Sequence, residues 1–364
     1  MSTLRTEMPH GAQLVRYLYQ SAPPWARQVP TSGGQTTILH GDPGSGLEEA
    51  AAWIAEATVP SVGPVITFDA GPVITFDPSL IGDYTTLVNK FVIDVAVGAF
   101  GEDAASALGA LRRGESRDLS ELNIVHDDFL RFAATLNEPD VGYAPGSLAA
   151  ILRNTPKSLL MVINAHLLTT RWSRDALWEL RGVIQDEGQH ALVLTCPTEA
   201  RDALAGAAAP FFGSGAVAEV GNDRDERFWT RVARTHHLVI ESEDLEFVLA
   251  RTWGLPVPTL AVLLEAQESG PSAALNKHVR SALERVPLVF QLARVVNRYG
   301  PELLLRLSRG LPPYGIPSAT ARDVNRALRQ LAFHGLIARV GRRGWRVADP
   351  FLSDALLSKP LVAW

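Results

Sequence analysis

Residues Gly41–Glu48 read Gly-Asp-Pro-Gly-Ser-Gly-Leu-Glu, between an apolar, β-branched run (36–40) and a stretch of helix-forming composition (47–57). Strand, glycine-rich loop, helix is the setting in which backbone N–H groups cradle phosphate, and Gly41 and Gly46 stand at the spacing of GxxxxGK(S/T). Gly44 and Ser45 would add further loop amides. The two positions that carry the chemistry differ. Leu47 occupies the place of the lysine that meets the β- and γ-phosphates, and Glu48 that of the Ser or Thr that holds magnesium. At an effective dielectric of about 20, a unit charge about 4 Å away is worth on the order of 4 kcal/mol. Losing a cation at Leu47 and gaining an anion at Glu48 outweighs what the loop amides supply. Glu48 and Glu49 instead suit the first turn of a helix, where carboxylates complement the dipole.

A second candidate is Leu159–Leu168, an apolar run that ends in Asn164, Ala165 and His166, with no Asp or Glu between Met161 and Leu168. Asn164 can accept a hydrogen bond from metal-bound water but has no charge and cannot act as a general base. His166 could serve as a base in principle, although a histidine here more readily packs and hydrogen-bonds locally. The run Ala191–Thr195 ends in the polar Thr195. Cys196 after it reads as a small buried hydrophobe. Gly254-Leu255-Pro256 forms a turn signal between two helical stretches. His236 and His237 are adjacent, so on a helix their rings diverge, and neither has the i, i+4 partner a metal site needs. Arg171, Arg174 and Arg181 follow the Asn164 run, where surface ion pairing is favoured over a finger-like role in a neighbour's site.

The elements that must position these residues follow from pattern. The chain has 364 residues, 46% hydrophobic and 20% charged, so it can bury a core and span two or three domains. One cysteine excludes a disulfide framework and a cysteine-cluster zinc site. The first residues lack an apolar h-region, and no apolar run reaches about 18 residues, so a cytoplasmic protein with no membrane segment is expected. Strands are predicted at 36–40, 65–68, 73–76, 158–164, 191–195 and 216–220. A short amphipathic stretch at 12–20 and a Pro-rich segment after it read as an N-terminal arm, and helices are predicted at 47–57, 85–99, 103–112, 126–136 and 173–186, the last with Ser173 as its N-cap. Strands alternating with helices argue for a parallel sheet covered on both faces. A near-perfect tandem repeat, 63–70 and 71–78, preserves strand alternation, so either copy could pair.

After Gly221 only helices are predicted: 224–235, 243–252, 257–267, 272–284, 287–298 and 301–309. Residues 311–317 (LPPYGIP) read as a linker. A strong amphipathic helix over 319–334 then ends at Gly335, with Val324, Leu328, Leu331 and Ala332 as its apolar stripe. Residues 336–340 and 345–348 form a hairpin around a basic turn. Residues 301–350 hold nine Arg, no Lys and three acids (Glu302, Asp323, Asp349), a net +6; the whole chain is −5, which leaves −11 elsewhere. Such asymmetry suits a basic binding module on an acidic body.

In this order the motifs resemble those of P-loop NTPases of the AAA+ and STAND superclass, over about residues 34–358. Leu159–Leu168 resembles a Walker B strand that has lost its acid pair, Ala191–Thr195 a sensor 1 strand, and Gly254-Leu255-Pro256 the GxP motif. Ser318–Pro350, leading into Asp349-Pro350-Phe351, resembles the winged helix of origin-recognition-related ATPases. The resemblance implies an α/β fold with a P-loop parallel sheet, a helical lid and a C-terminal winged helix. The implied division is an arm (1–33), a P-loop domain (34–222), a lid (223–310) and a winged-helix domain (311–364). It also implies that Thr195 faces the γ-phosphate and Pro256 the base. Arg322, Arg326 and Arg329 on the helix, with Arg339, Arg342, Arg343 and Arg346 on the hairpin, would meet DNA.

Losses at both the loop and the Asn164 strand point the same way, to a site with no cofactor or only weakly held ATP or ADP. Three readings stand. The first is a non-hydrolysing, ATPase-derived protein that acts as a DNA-associated regulator or as a subunit of an assembly, with protein partners or further copies of itself. The second is an ATPase whose unorthodox site a partner completes. The third is a protein–protein scaffold whose winged helix never meets DNA.

Overall fold

The apolar runs of the first half assemble into one parallel sheet. Its strands are β1 (Thr36–Gly41), β2 (Val65–Asp69), β3 (Leu159–Ile163), β4 (Ala191–Pro197) and β5 (Ala216–Glu219), in the order β2-β3-β4-β1-β5. The structure, a computed structural model, describes residues 8–19, 22–30, 32–62, 65–69, 84–101, 103–112, 126–135, 151–171, 174–221, 225–341 and 344–358. The first copy of the repeat forms β2, with Val65 opposite Leu159. The second copy, the predicted strand 73–76, Ser173, Arg342 and Arg343 lie outside the described residues.

Both faces of the sheet are covered, which is why the central strands β3 and β4 are nearly continuous apolar runs. The helices of this half are α1 (Ala12–Leu18), α2 (Leu47–Val62), α3 (Tyr84–Phe100), α4 (Asp103–Arg112), α5 (His126–Thr135), α6 (Leu168–Arg171), α7 (Arg174–Glu187) and α8 (Arg201–Ala205). Ile38, Leu160, Val162, Leu192 and Leu194 pack with Val95 of α3, Phe129 and Phe132 of α5 and Leu180 of α7. The alternate residues Leu39, Leu159, Met161 and Val193 pack on the other face with Val15 of α1, Trp25 and Ala50, Ala51 and Ile54 of α2. Helix α2 runs past the predicted end at residue 57, through Pro60, to Val62.

After the sheet come α9 (Glu226–Thr235), α10 (Ser242–Thr252), α11 (Pro256–Ser269), α12 (Pro271–Val296) and α13 (Gly300–Ser308). The predicted break near residue 286 is absent, because α12 runs straight through Pro287. A helix-interior proline costs about 3 kcal/mol. Here the same helix buries Ala274, Leu275, Ala282 and Val286 before it and Ala293 after it in a single core, and this two-sided anchoring holds the helix together.

Helix α14 (Ala321–Phe333) buries the expected stripe of Val324, Leu328, Leu331 and Ala332. Thr320 and Asp323 close a capping box at its start. At its end Gly335 adopts φ +69°, and the Leu336 N–H donates to the Leu331 carbonyl at 2.9 Å. An antiparallel hairpin, β6 (Ile337–Val340) and β7 (Gly344–Val347), pairs Ile337 with Val347. The last helix, α15 (Pro350–Leu357), is capped by Asp349, whose carboxylate accepts from the Phe351 and Leu352 N–H groups. The apolar core of α9–α13 is continuous with that of α14, the hairpin and α15, and it takes in Leu14 and Leu18 of α1. Helix α1 is thus shared between sheet and helices, with Val15 on one side and Leu14 and Leu18 on the other. No helix among the described residues is long and apolar enough to cross a membrane.

Candidate functional site

The glycine-rich loop leaves the C-terminal end of β1, a strand flanked by β4 and β5. In open parallel sheets ligands bind at such strand ends. The Ser45 N–H donates to the Asp42 carbonyl at 2.9 Å, closing the turn. Gly44 takes φ +83°, and a Cβ there would stand 3.1 Å from Pro258 Cδ. Gly221, just after β5, takes φ +76° and backs onto Ser45 so closely that a Cβ would lie 2.6 Å from Ser45 Cβ. Ser45 is buried, and its hydroxyl has no hydrogen-bond partner among the described residues.

The start of α2 shows what its unusual residues do. Leu47 packs against the core beneath β1. Glu48 is exposed. Glu49 is partly buried, which pushes its pKa up, while a hydrogen bond from its own backbone N–H opposes that rise. Glu49 thus occupies an amide of the kind that would otherwise face an anion. Leu14 of α1 lies over Gly46, 3.9 Å from where a Cβ would be.

At the end of β3, Asn164 is held in the left-handed region at φ 55°. Its N–H donates to Thr195 Oγ1 at 3.1 Å, so the hydroxyl of Thr195 locks the strand end in place. Thr195 is buried, opposite Leu39 of β1. His166 is also buried and meets the Phe333 ring edge-on, with centroids 4.9 Å apart. Burial, and then the nearby His334, push its pKa down to about 3. A general base works best with a pKa near the operating pH, so His166 is a neutral packing residue. Burial likewise lowers the pKa of His40 on β1 and pushes Cys196 up to about 12, leaving a buried, inert thiol.

Two further elements converge on the loop. Trp253 ends α10 in the left-handed region, Gly254 and Leu255 turn the chain, and Pro256 opens α11. The Val257 N–H donates to the Gly44 carbonyl at 3.0 Å. From the C-terminal hairpin, Arg346 reaches Asp42 across 3.6 Å while its guanidinium lies 4.2 Å over the Trp253 ring. Arg339 pairs with Glu199, just after β4, at 3.5 Å and covers Trp345. Gly335 rests against Pro43 and Pro197.

Gly41, Gly44, Ser45, Gly46, Leu47, Glu48, Asn164, His166, Thr195 and Pro256 therefore all lie around one end of the sheet. Of the expected nucleic-acid contacts, Arg322, Arg326 and Arg329 are exposed on α14, whereas Arg339 and Arg346 face acids of the sheet half. Among the described residues, Arg181 donates to the Pro210 carbonyl at 3.0 Å and to Gln185 at 2.8 Å. His236 stacks on Tyr17. No group of residues suited to hold a metal ion occurs among the described residues. Sequence reasoning missed Asp42, Glu199, Trp253 and Phe333. Their roles depend on contacts across long separations, for which the sequence carries no local signal.

No family model matches the chain, and no curated protein matches it in sequence. Solved structures match it in shape. A Walker-type ATPase of Pyrococcus abyssi aligns with a TM-score of 0.52 at 14% identity, over 95% of this chain and 94% of that one. This chain shares the fold of that structure. The Aeropyrum pernix Orc1 protein, solved in complex with DNA, aligns at 0.39 and 13% identity, over 99% and 95% of the two chains. AMPPCP-bound DnaA from Aquifex aeolicus aligns at 0.38 and 11%, over 92% and 90%. The α/β class with a parallel P-loop sheet is the expected one.

Proposed function

We propose that this chain is an ATPase-derived protein that works by binding rather than by hydrolysis, and that its C-terminal unit is a winged helix that contacts DNA. In this reading residues 34–222 are the P-loop domain, 223–310 the lid and 311–364 the winged-helix domain. The observation that carries it is the fate of Leu47. The residue at the lysine position is an uncharged leucine, partly buried against the core beneath β1, so the loop itself offers phosphate no cation. The guanidinium that the fold does bring to the loop, Arg346, is engaged by Asp42. At the magnesium-facing strand end stands uncharged Asn164, tied through its backbone to Thr195. Arg322, Arg326 and Arg329 project from α14 opposite its buried stripe, the arrangement of a helix that lies along a phosphate backbone.

One observation favours a second reading. Arg346 arrives at the loop from a different part of the chain, so a cation completing the site need not come from position 47. An ATPase completed in this way, or by a partner, would turn over ATP. Titration of the purified chain with labelled ATP and with duplex DNA, each at two salt concentrations, separates the readings. The binding-only reading expects DNA affinity that falls steeply with salt and no ATP turnover. Turnover would overturn it, and salt-independent or absent DNA binding would leave the scaffold reading.

A further inference from the structure

Residues 63–69 and 71–77 carry the same seven letters, Gly-Pro-Val-Ile-Thr-Phe-Asp. The first copy supplies β2, in which Val65 to Asp69 pair with Leu159 to Ile163 of β3. A shift of eight residues is even, so it returns every side chain to the same face of the strand. It also sets the same residue type opposite each residue of β3: Val73 would meet Leu159, and Asp77 would meet Ile163. A ladder of 73–77 on β3 is therefore chemically the same as the ladder of β2. The copies differ only after the Asp, where Ala70 follows the first and Pro78 the second. A proline beyond the paired residues takes no donor from the ladder.

Position in the sheet makes exchange feasible. β2 lies at an edge, with β3 as its one partner strand among the described residues. Replacing it opens a single ladder and leaves the central strands paired. With the first copy in place, two residues (63–64) join α2 to the strand and fourteen (70–83) lead on to α3. With the second copy these become ten (63–72) and six (78–83). Connections of about two to six residues are ordinary between strands and helices. A chain with one copy alone would have two and six, so in either register one copy is in excess. Between the registers the product of the two lengths changes about twofold, so closure entropy favours the first by only about threefold.

We propose that the two copies of the repeat exchange in the β2 position beside β3, giving one folded chain two registers. The C-terminal end of β2 lies beside Ile163, at the end of the sheet from which the glycine-rich loop leaves. The exchange therefore moves eight residues from that end of the sheet to the opposite one. A molecule that binds at that end and contacts only one arrangement shifts the balance between them.

The test places 4-fluorophenylalanine at position 68 alone in the full chain and reads its fluorine NMR spectrum. Two resonances in a ratio of about 3 to 1 are expected, and the ratio should hold on dilution. The same label at position 76 should show the inverse ratio, and deletion of 71–78 should leave one resonance at position 68. A single resonance at position 68 that the deletion does not move would overturn the proposal. A ratio that changes on dilution would place the exchange between two molecules and overturn it as well. Thermal unfolding gives a second, independent measurement. Ile66 and Phe68 stand opposite Leu160 and Val162, both buried, and Asp is a poor strand residue. Ile66→Asp with Phe68→Asp should lower the Tm by no more than about 3 °C, because the intact copy takes the place. Ile74→Asp with Phe76→Asp should do the same, whereas all four changes together should lower it by more than about 10 °C. A loss from the first pair equal to the loss from all four would overturn the proposal.

Discussion

Arg346 and Asp42 stand 304 positions apart in sequence, yet the guanidinium of one meets the carboxylate of the other at 3.6 Å. This pair fastens the C-terminal hairpin to the first turn of the glycine-rich loop. Trp253 holds the guanidinium from the other side at 4.2 Å, so loop, helical turn and hairpin meet at one side chain.

Removing that side chain should loosen all three. Arg346→Ala is expected to lower stability by about 1–3 kcal/mol, from the lost charged pair and the lost cation–π contact. Hydrogen exchange should quicken in 337–341 and in the loop. In a double-mutant cycle with Asp42→Asn, a coupling near zero would show that the pair is only a contact of convenience.

His166 should give the protein an acid-sensitive core. Its pKa is about 3 when folded and about 6.5 when unfolded. The unfolded chain therefore binds more protons between these values, so stability is full above about pH 6.5 and falls as pH drops towards 3. From pH 6.5 to 5 this single group removes about 2 kcal/mol. Denaturant titrations at pH 7 and pH 5 should show a smaller fall in His166→Leu than in wild type. Equal falls would place the acid sensitivity elsewhere.

The backbone of the loop should be intolerant at Gly44. Gly44→Ala places a Cβ at φ +83° and 3.1 Å from Pro258, for an expected loss of about 1–2 kcal/mol. A neutral result by thermal unfolding would mean that the turn at Pro256 moves freely over the loop.

Much of this was legible from pattern. The runs 159–163 and 191–194 are apolar at every position because both faces of the sheet are buried, and such runs announce a parallel sheet. The stripe of α14 and the spacing of Gly41 and Gly46 were equally plain. Pro287 misled because local propensity argues for a break, while the buried residues on either side belong to one core that only the tertiary structure reveals. Arg339 and Arg346 read as part of a basic surface, since nothing near them in sequence identifies Asp42 and Glu199 as their partners. Arg322, Arg326 and Arg329 have no such partners among the ion pairs described.

Those three arginines make the DNA reading measurable. Replacing them together by Ala should weaken duplex binding across sequences and reduce the salt slope by about 0.9 per lost phosphate contact. An unchanged slope would remove α14 from any nucleic-acid interface. Neither Arg339→Ala nor Arg346→Ala should change that slope as much, because both residues face the sheet half.

The most direct test of the central claim is steady-state ATP turnover by the full chain, with and without duplex DNA, beside a Gly46→Val variant. With Leu47 at the lysine position, packed against the core, and Asn164 at the strand end, turnover should not rise above background in either protein. Turnover that Gly46→Val abolishes would contradict the claim and establish a working site.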